Sequence, residues 1–498
     1  MPCSVNAAIM IGSTLLATPM TLCGQADQIE LIPEIDRRRH VEAIVQAYHD
    51  LRGFNGVVLA AVGDNIVLRR GYGYANVEHG ISNTPATRFR LASVTKQFTA
   101  AAILLLVEQD LLELDAPVST YLADLDPKIA DRVTLHHLLT HTAGLERAIE
   151  RLGEKDGGDH FTMDEMITLI NNSNLQSEPG ERFQYSNVGY ILAAAIIESV
   201  TGKPYGAAMR ELIFDPLGMS DTDHELAQRI VLRRADGMIR FPDGPARSEF
   251  EDKSYVTGAG SVYSTLDDLF VWSRAVQKRR VLSEEYRSAL VTHHTSGYAY
   301  GWFTFSYTCA PGMALPVKGD GVTHDGGCPG FSTCLRWYLD HDITVIVLAN
   351  MRPFPSSELA NKIGNILVGI HQQNPSPAVA DELIRIALEE GVEAATSRAR
   401  DMEAAGREIP TPNEINTLGY RYLAAHRISE TIRVQELQVA LFPRNANALD
   451  SLAEACAVAG QIDRAIMYYS RALEVDPDFQ NARQRLGELR ASRSKPAH

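Results

Sequence analysis

Hydrophobic and polar residues change their period several times along this chain, and the changes divide it. Residues 35–52 carry apolar side chains three and four apart, which predicts an amphipathic helix. The runs 56–62 and 65–74 follow, rich in Val, Ile and Leu and separated by the turn Gly63-Asp64, and predict two strands. From about 91 to 277 the spacing is mostly helical, strand-like runs return between 300 and 350, and 356–372 is helical again. Strands drawn from both ends of this stretch predict an antiparallel sheet flanked by helices and carrying a helical insertion. A cleft would then lie between the two parts.

Beyond 373–377, where two prolines mark a boundary, the strand-like patterns stop. Residues 373–410 read as a helical linker. In 411–498, Leu418, Leu452 and Leu486 recur at an interval of 34 residues, and Pro443 and Pro477 at the same interval. Gly460, Ala465, Tyr469, Ala472 and Pro477 fall at the spacing of a tetratricopeptide repeat, in which small residues let paired helices approach and the proline ends the second helix. Thr431 and Gln435 stand where the first copy should have alanine and an aromatic ring. The third copy is half a repeat that suits a cap. This predicts an all-α repeat domain that holds a protein partner, self-associates or serves as a docked appendage.

Composition narrows the function classes. The chain is longer than one ordinary domain needs, and 45% hydrophobic with 22% charged residues is globular usage. A formal net charge of -15 argues against nucleic acid or an anionic membrane surface as a partner. The basic triplets 37–39 and 278–280 are too short to change that. An uncharged apolar run, 7–22, followed by Gly24-Gln25-Ala26, predicts a signal peptide over 1–26, although no Lys or Arg precedes it. That run is too short for a membrane span, so the expectation is a periplasmic or secreted chain with no integral span once cut. Two of the six cysteines, Cys3 and Cys23, fall inside it. Cys309, Cys328 and Cys334 lie near neighbouring predicted strands, where pairing after export and buried free thiols are both open. With Cys456 they lack metal-ligand spacing, and the adjacent histidines 136–137 and 293–294 point apart, so no metal or other cofactor is expected.

Three constellations carry candidate chemistry. Ser93 and Lys96, three apart at the start of an apolar helix, project from one face. A serine hydroxyl needs an adjacent base, and a lysine amine becomes one when burial or nearby positive charge lowers its pKa. Tyr185 and Asn187, two apart in a loop before the helical run 188–200, suit proton shuttling and the holding of a carbonyl; Ser186 or Asn187 also suits a helix cap. His324-Asp325-Gly326-Gly327 lies between strand-like runs, where glycines permit close backbone approach and an N–H completes an oxyanion site. An ordinary hairpin would look the same.

In this order, Ser93-x-x-Lys96, Tyr185-x-Asn187 and His324-x-Gly326-Gly327 resemble the serine β-lactamase and penicillin-binding protein family. The matching branch holds class C β-lactamases, D-alanyl-D-alanine carboxypeptidases, D-aminopeptidases and carboxylesterases. Family-like strings at 71–76, 133–145, 214–219, 258–269 and 300–302 extend the likeness over about 35–370. The resemblance implies a β-lactamase-like α/β fold of the α+β kind across 27–372, and two-step acyl transfer without a cofactor. Ser93 would be the acylated nucleophile, Lys96 would accept or relay a proton, and Tyr185 would be the general base and later the acid. Asn187 would orient the substrate carbonyl, and the N–H groups of Ser93 and Gly327 would form the oxyanion hole.

His324 and Asp325 stand in the substrate-binding place where many relatives carry lysine and then a hydroxyl residue. An aspartate facing the cleft would repel a substrate carboxylate, and a neutral histidine attracts one less than lysine does. The expectation is weak penicillinase activity and a small ester or amide substrate, such as a D-amino-acid peptide. Asp325 on the opposite strand face would remove that argument. A β-lactamase or D-alanyl-D-alanine carboxypeptidase is the alternative among hydrolases, and a non-catalytic ligand sensor is the alternative outside them.

Overall fold

In a computed structural model of the chain, residues 32–146, 159–309 and 317–493 are described. The apolar run 7–22 and the cleavage point at Ala26 lie outside them. Two compact units form, one from 32–239 and 246–375, the other from 240–245 and 376–493.

The larger unit is built on a six-stranded sheet in the order Phe303–Cys309, Val317–Cys328, Phe331–Tyr338, Ile343–Ala349, Gly56–Val62, Asn65–Tyr72. Every neighbouring pair is antiparallel. Gly56 pairs with both Tyr72 and Ala349, so the early hairpin is stitched to the last long strand. All seven residues of Ile343–Ala349 are buried, because both faces of the sheet are covered. On one face Val58, Ala60, Val345 and Val347 pack with Val41, Ile44 and Tyr48 of the helix Glu34–Arg52 and with Leu359 and Ile363 of the helix Ser356–Leu367. On the other, Val57, Leu59, Ile346 and Leu348 join Phe98, Tyr190 and Trp272 of the insertion. Continuous apolar runs are what burial on two sides demands.

The insertion is less purely helical than its spacing predicts. Phe89–Arg90, Val262–Ser264 and Asp223–His224 form one small sheet, and Met351–Arg352, Met238–Phe241 and Gly244–Arg247 another. Pairings of two to four residues are too short to display a period of two. Cys328 and Cys334 are free and buried in the apolar clusters on opposite faces of the large sheet, so they do not pair with each other. The side chain of Cys309 lies outside the described residues. Among the described residues no helix is long and apolar enough to cross a membrane, and no group of His, Cys, Asp and Glu could hold a metal ion.

The smaller unit is all helical apart from 240–245. The span read as a linker contains the helices Val379–Glu389 and Val392–Ala404, which bury Leu383, Ile384 and Ala387 on one and Ala395, Ala399 and Met402 on the other. Pro412–Ala424 and Ile428–Leu441, then Ala446–Val458 and Ile462–Val475, form pairs, and Gln480–Arg493 follows. Ala465, Tyr469 and Ala472 are buried in the second pair, as their spacing predicts. In the first pair Gln435 is buried against Gly419, where a Cβ would come within 2.3 Å of its amide nitrogen. The missing aromatic ring is thus matched by a missing side chain on the facing helix. Tyr422 donates a 2.7 Å hydrogen bond to Asp243, which also pairs with Arg427 at 2.5 Å.

Tyr469→Ala should lower the stability of this unit by about 3–5 kcal/mol, the usual cost of truncating a buried aromatic ring. Urea unfolding followed by the helical circular dichroism signal checks it.

Candidate active site

Ser93 sits on a single turn of 3₁₀-helix, Ala92–Thr95, that runs straight into the helix Lys96–Glu108. The chain reaches that turn along Phe89–Arg90, and Leu91 is then held at both ends of its peptide. Its N–H donates to the carbonyl of Val262 at 2.9 Å, and its carbonyl accepts from the Thr333 hydroxyl at 2.8 Å. Ala92 follows at φ 48°, a left-handed conformation that L side chains rarely adopt. Strain of this kind persists only where neighbours over-determine the backbone, and it sets the direction in which Ser93 projects.

Lys96 is fully buried. Its amine lies 3.2 Å from Ser93 Oγ, 2.8 Å from Asn187 Oδ1 and 2.8 Å from the carbonyl of Ala259. Two of these partners can only accept from it. The third direction faces the serine, where an ammonium donates a hydrogen and a neutral amine presents its lone pair to the serine proton. Rings close the other sides: the nitrogen stands 4.9 Å from the Tyr185 ring centroid and 5.5 Å from that of Tyr190.

Tyr185 and Asn187 flank the start of the helix Asn187–Thr201. Ser186 between them caps that helix, accepting from Val188 N–H at 3.2 Å, so the cap and the candidate chemistry share three consecutive residues. Tyr185 is wedged among rings, with His141 at 4.3 Å and Phe303 nearly parallel at 6.2 Å. The N–H of Ser186 donates to His141 Nδ1 at 3.3 Å. His141 lies within the string 133–145, which marked the region without marking this residue.

The third motif lies on Val317–Cys328. His324 is buried and faces the same side as Lys96; burial first, and the Lys96 charge second, push its pKa down to about 3. Its Nδ1–H donates to the carbonyl of Asp325 at 2.8 Å, which leaves Nε2 to accept from the Tyr298 hydroxyl at 3.2 Å. The imidazole is therefore neutral and both nitrogens are occupied. Asp325 corrects an expectation: strand alternation turns its side chain to the other face, exposed and beside Cys334, its cross-strand partner. It does not stand across the cleft from Ser93, so repulsion of a substrate carboxylate by Asp325 falls away. Gly326 passes so close to the nucleophile turn that a Cβ there would lie 2.0 Å from the Leu91 carbonyl. Gly327 follows, paired with Ser332 at the end of the strand.

The structure thus brings Ser93, Lys96, Tyr185, Asn187, His324 and the Gly326–Gly327 backbone to one seam. It adds Ala259, His141 and Tyr298. Among these Tyr298, in a loop of mixed character, had no signal in the sequence.

A family profile described as Beta-lactamase matches residues 41–368, and one described as Tetratricopeptide repeat matches 446–489. The chain is 30% identical over 341 residues to penicillin-binding protein 4* of Bacillus subtilis, covering 63% of this chain and 72% of that protein. Esterase EstB of Burkholderia gladioli is 33% identical over 353 residues, covering 61% of this chain and 88% of the esterase. A D-amino acid amidase from Ochrobactrum anthropi, solved with D-phenylalanine, superposes with a TM-score of 0.56 at 25% identity, over 67% of this chain and 98% of its own.

In the unfolded chain His324 takes its proton near pH ~6.5, whereas in the folded chain it stays neutral to about pH 3. The unfolded state then binds more protons between those values, so stability is full above the higher and is lost as pH falls toward the lower. His324→Asn should reduce the loss of stability between pH 7 and pH 5 by about 2 kcal/mol, at about 1.4 kcal/mol per unit. Urea midpoints of both proteins at the two pH values check it.

Proposed function

Because this chain belongs to the β-lactamase family of serine hydrolases, we propose that it cleaves small esters or amides through an acyl-enzyme on Ser93. The observation that carries the reading is the buried Lys96 amine 3.2 Å from Ser93 Oγ. Ser93 Oγ attacks the substrate carbonyl while its proton passes to Lys96 and Tyr185, and the backbone N–H groups of Ser93 and Gly327 receive the charge on the carbonyl oxygen. Collapse of that adduct breaks the bond to the leaving group, which takes a proton from Tyr185. Water, activated by the same tyrosine, then releases the acid and restores the serine. Asn187, already bonded to Lys96, orients the substrate carbonyl. His324 is a neutral wall of the site.

Relatives named as an esterase, a D-aminopeptidase and penicillin-binding proteins support an ester or amide substrate, with a D-amino-acid peptide among the candidates. A β-lactamase or D-alanyl-D-alanine carboxypeptidase needs a cation for the substrate carboxylate, and His324, neutral with both nitrogens occupied, is not one. The tetratricopeptide match supports a protein partner for the smaller unit. The run 7–22 supports export to the periplasm or the exterior.

Purified chain should hydrolyse a short-chain p-nitrophenyl ester, with no turnover by Ser93→Ala. Lys96→Ala and Tyr185→Phe should each slow acylation by about 10³-fold or more, because the three groups act as one unit. Full activity of Ser93→Ala would refute the mechanism. A covalent adduct on Ser93 without turnover would favour a sensor.

A further inference from the structure

We infer that Thr99 is a positioning residue for the chemistry at Ser93: its hydroxyl holds the carbonyl of Gly258, and through it the adjoining carbonyl of Ala259, which receives a hydrogen of the Lys96 amine. The inference rests on the acyl-enzyme reading above and deepens it, by naming what keeps the lysine of that reading in place.

Three observations carry it. The first is reach. Thr99 lies three residues beyond Lys96 on the helix Lys96–Glu108, so the two side chains leave one face of its first turn. They take successive carbonyls of a single segment: Lys96 Nζ stands 2.8 Å from the oxygen of Ala259, and Thr99 Oγ1 2.6 Å from that of Gly258. The second is hydrogen-bond direction. A carbonyl only accepts, so the one hydrogen of the Thr99 hydroxyl goes to Gly258, and the hydroxyl of Tyr205, 2.7 Å away, donates to Thr99. A helical threonine ordinarily returns that hydrogen to the carbonyl four residues before it, as Thr201 does to Ile197. Thr99 gives it instead to a segment 159 residues away.

The third is the shape of the segment. Gly258 has φ 77°, and a Cβ on it would stand 2.6 Å from the Tyr190 carbonyl oxygen and from Ala194 Cβ, so only glycine lets the chain turn there. The N–H groups of the turn are answered from within the segment: Gly258 donates to Ser261 Oγ at 3.3 Å, and Ala259 and Gly260 to the carbonyl of Val256 at 2.9 and 2.8 Å. The carbonyls of Gly258 and Ala259 face the helix, one toward Thr99 and one toward Lys96. Thr99 is fully buried, so an isosteric Thr99→Val leaves no room for water in place of its hydroxyl. The Gly258 carbonyl then lacks its donor and the turn shifts. That disfavours the ammonium form of Lys96, which needs the Ala259 oxygen more than a neutral amine does.

The test follows kcat and KM for a short-chain p-nitrophenyl ester across the pH range in wild type, Thr99→Val and Thr99→Ser. Thr99→Val should lower kcat by about tenfold with KM within about twofold, and move the acid limb of the pH profile to lower pH by about one unit, the equivalent of one hydrogen bond to a charged group. Thr99→Ser, which keeps the hydroxyl, should restore both. An unmoved limb in Thr99→Val would overturn the proposal, because a merely structural threonine loses rate without moving the limb. A serine variant that behaves like the valine one would overturn it too. Thr99→Ala carries the same test should the valine variant not fold. If wild type turns over no ester, the hydrolase reading fails separately. Nitrogen-15 NMR of the lysine side chains in Ser93→Ala, with and without Thr99→Val, then still decides: titration of the Lys96 amine at lower pH in the double variant upholds the inference, and an unmoved titration overturns it.

Discussion

A lysine amine taken wholly out of water has to have its hydrogens received, and the arrangement of the larger unit around Lys96 answers that requirement. Its partners come from places far apart in the chain: the turn at Ser93, the start of the helix at Asn187, and the carbonyl of Ala259. Each element that supplies one is thereby fixed in distance from the serine. The rings of Tyr185 and Tyr190 bound the same nitrogen, and its charge is one of the two causes that keep His324 neutral. A buried polar centre of this kind is stringent, since a partial set of partners is worse than none.

The second constraint is a close crossing of two backbones. Gly326 lets the strand Val317–Cys328 pass beside the Leu91 carbonyl, and Thr333 on the next strand bonds that same carbonyl. The sheet and the nucleophile turn are fastened to each other at the point of chemistry. This is why Ala92 can hold a conformation unfavourable for its side chain.

Much of this was legible in the residues. Ser93 and Lys96 follow from helical spacing, and Tyr185 and Asn187 from a loop that leads into a helix. The runs that became the sheet were visible because burial on both faces makes them apolar throughout. What spacing does not reveal is side-chain direction at the third motif: alternation decides between His324 and Asp325, and one residue of register reverses the answer. Ala259 contributes only a carbonyl, which no residue type announces. The buried Gln435 looked like a defect in the first repeat until Gly419 was seen opposite it, since complementarity across two helices has no linear signal.

The register of the large sheet has a further consequence. Gly56 closes on Ala349, so the hairpin made first finds its neighbour only after the insertion and four more strands have been synthesised. Until then the strand Gly56–Val62 has one unpaired edge and two apolar faces. Such non-local pairing makes assembly slow, because a very long loop must be closed before the contacts repay it. The sheet therefore cannot close until the strand Ile343–Ala349 has been made, and until then the nascent chain is exposed to aggregation.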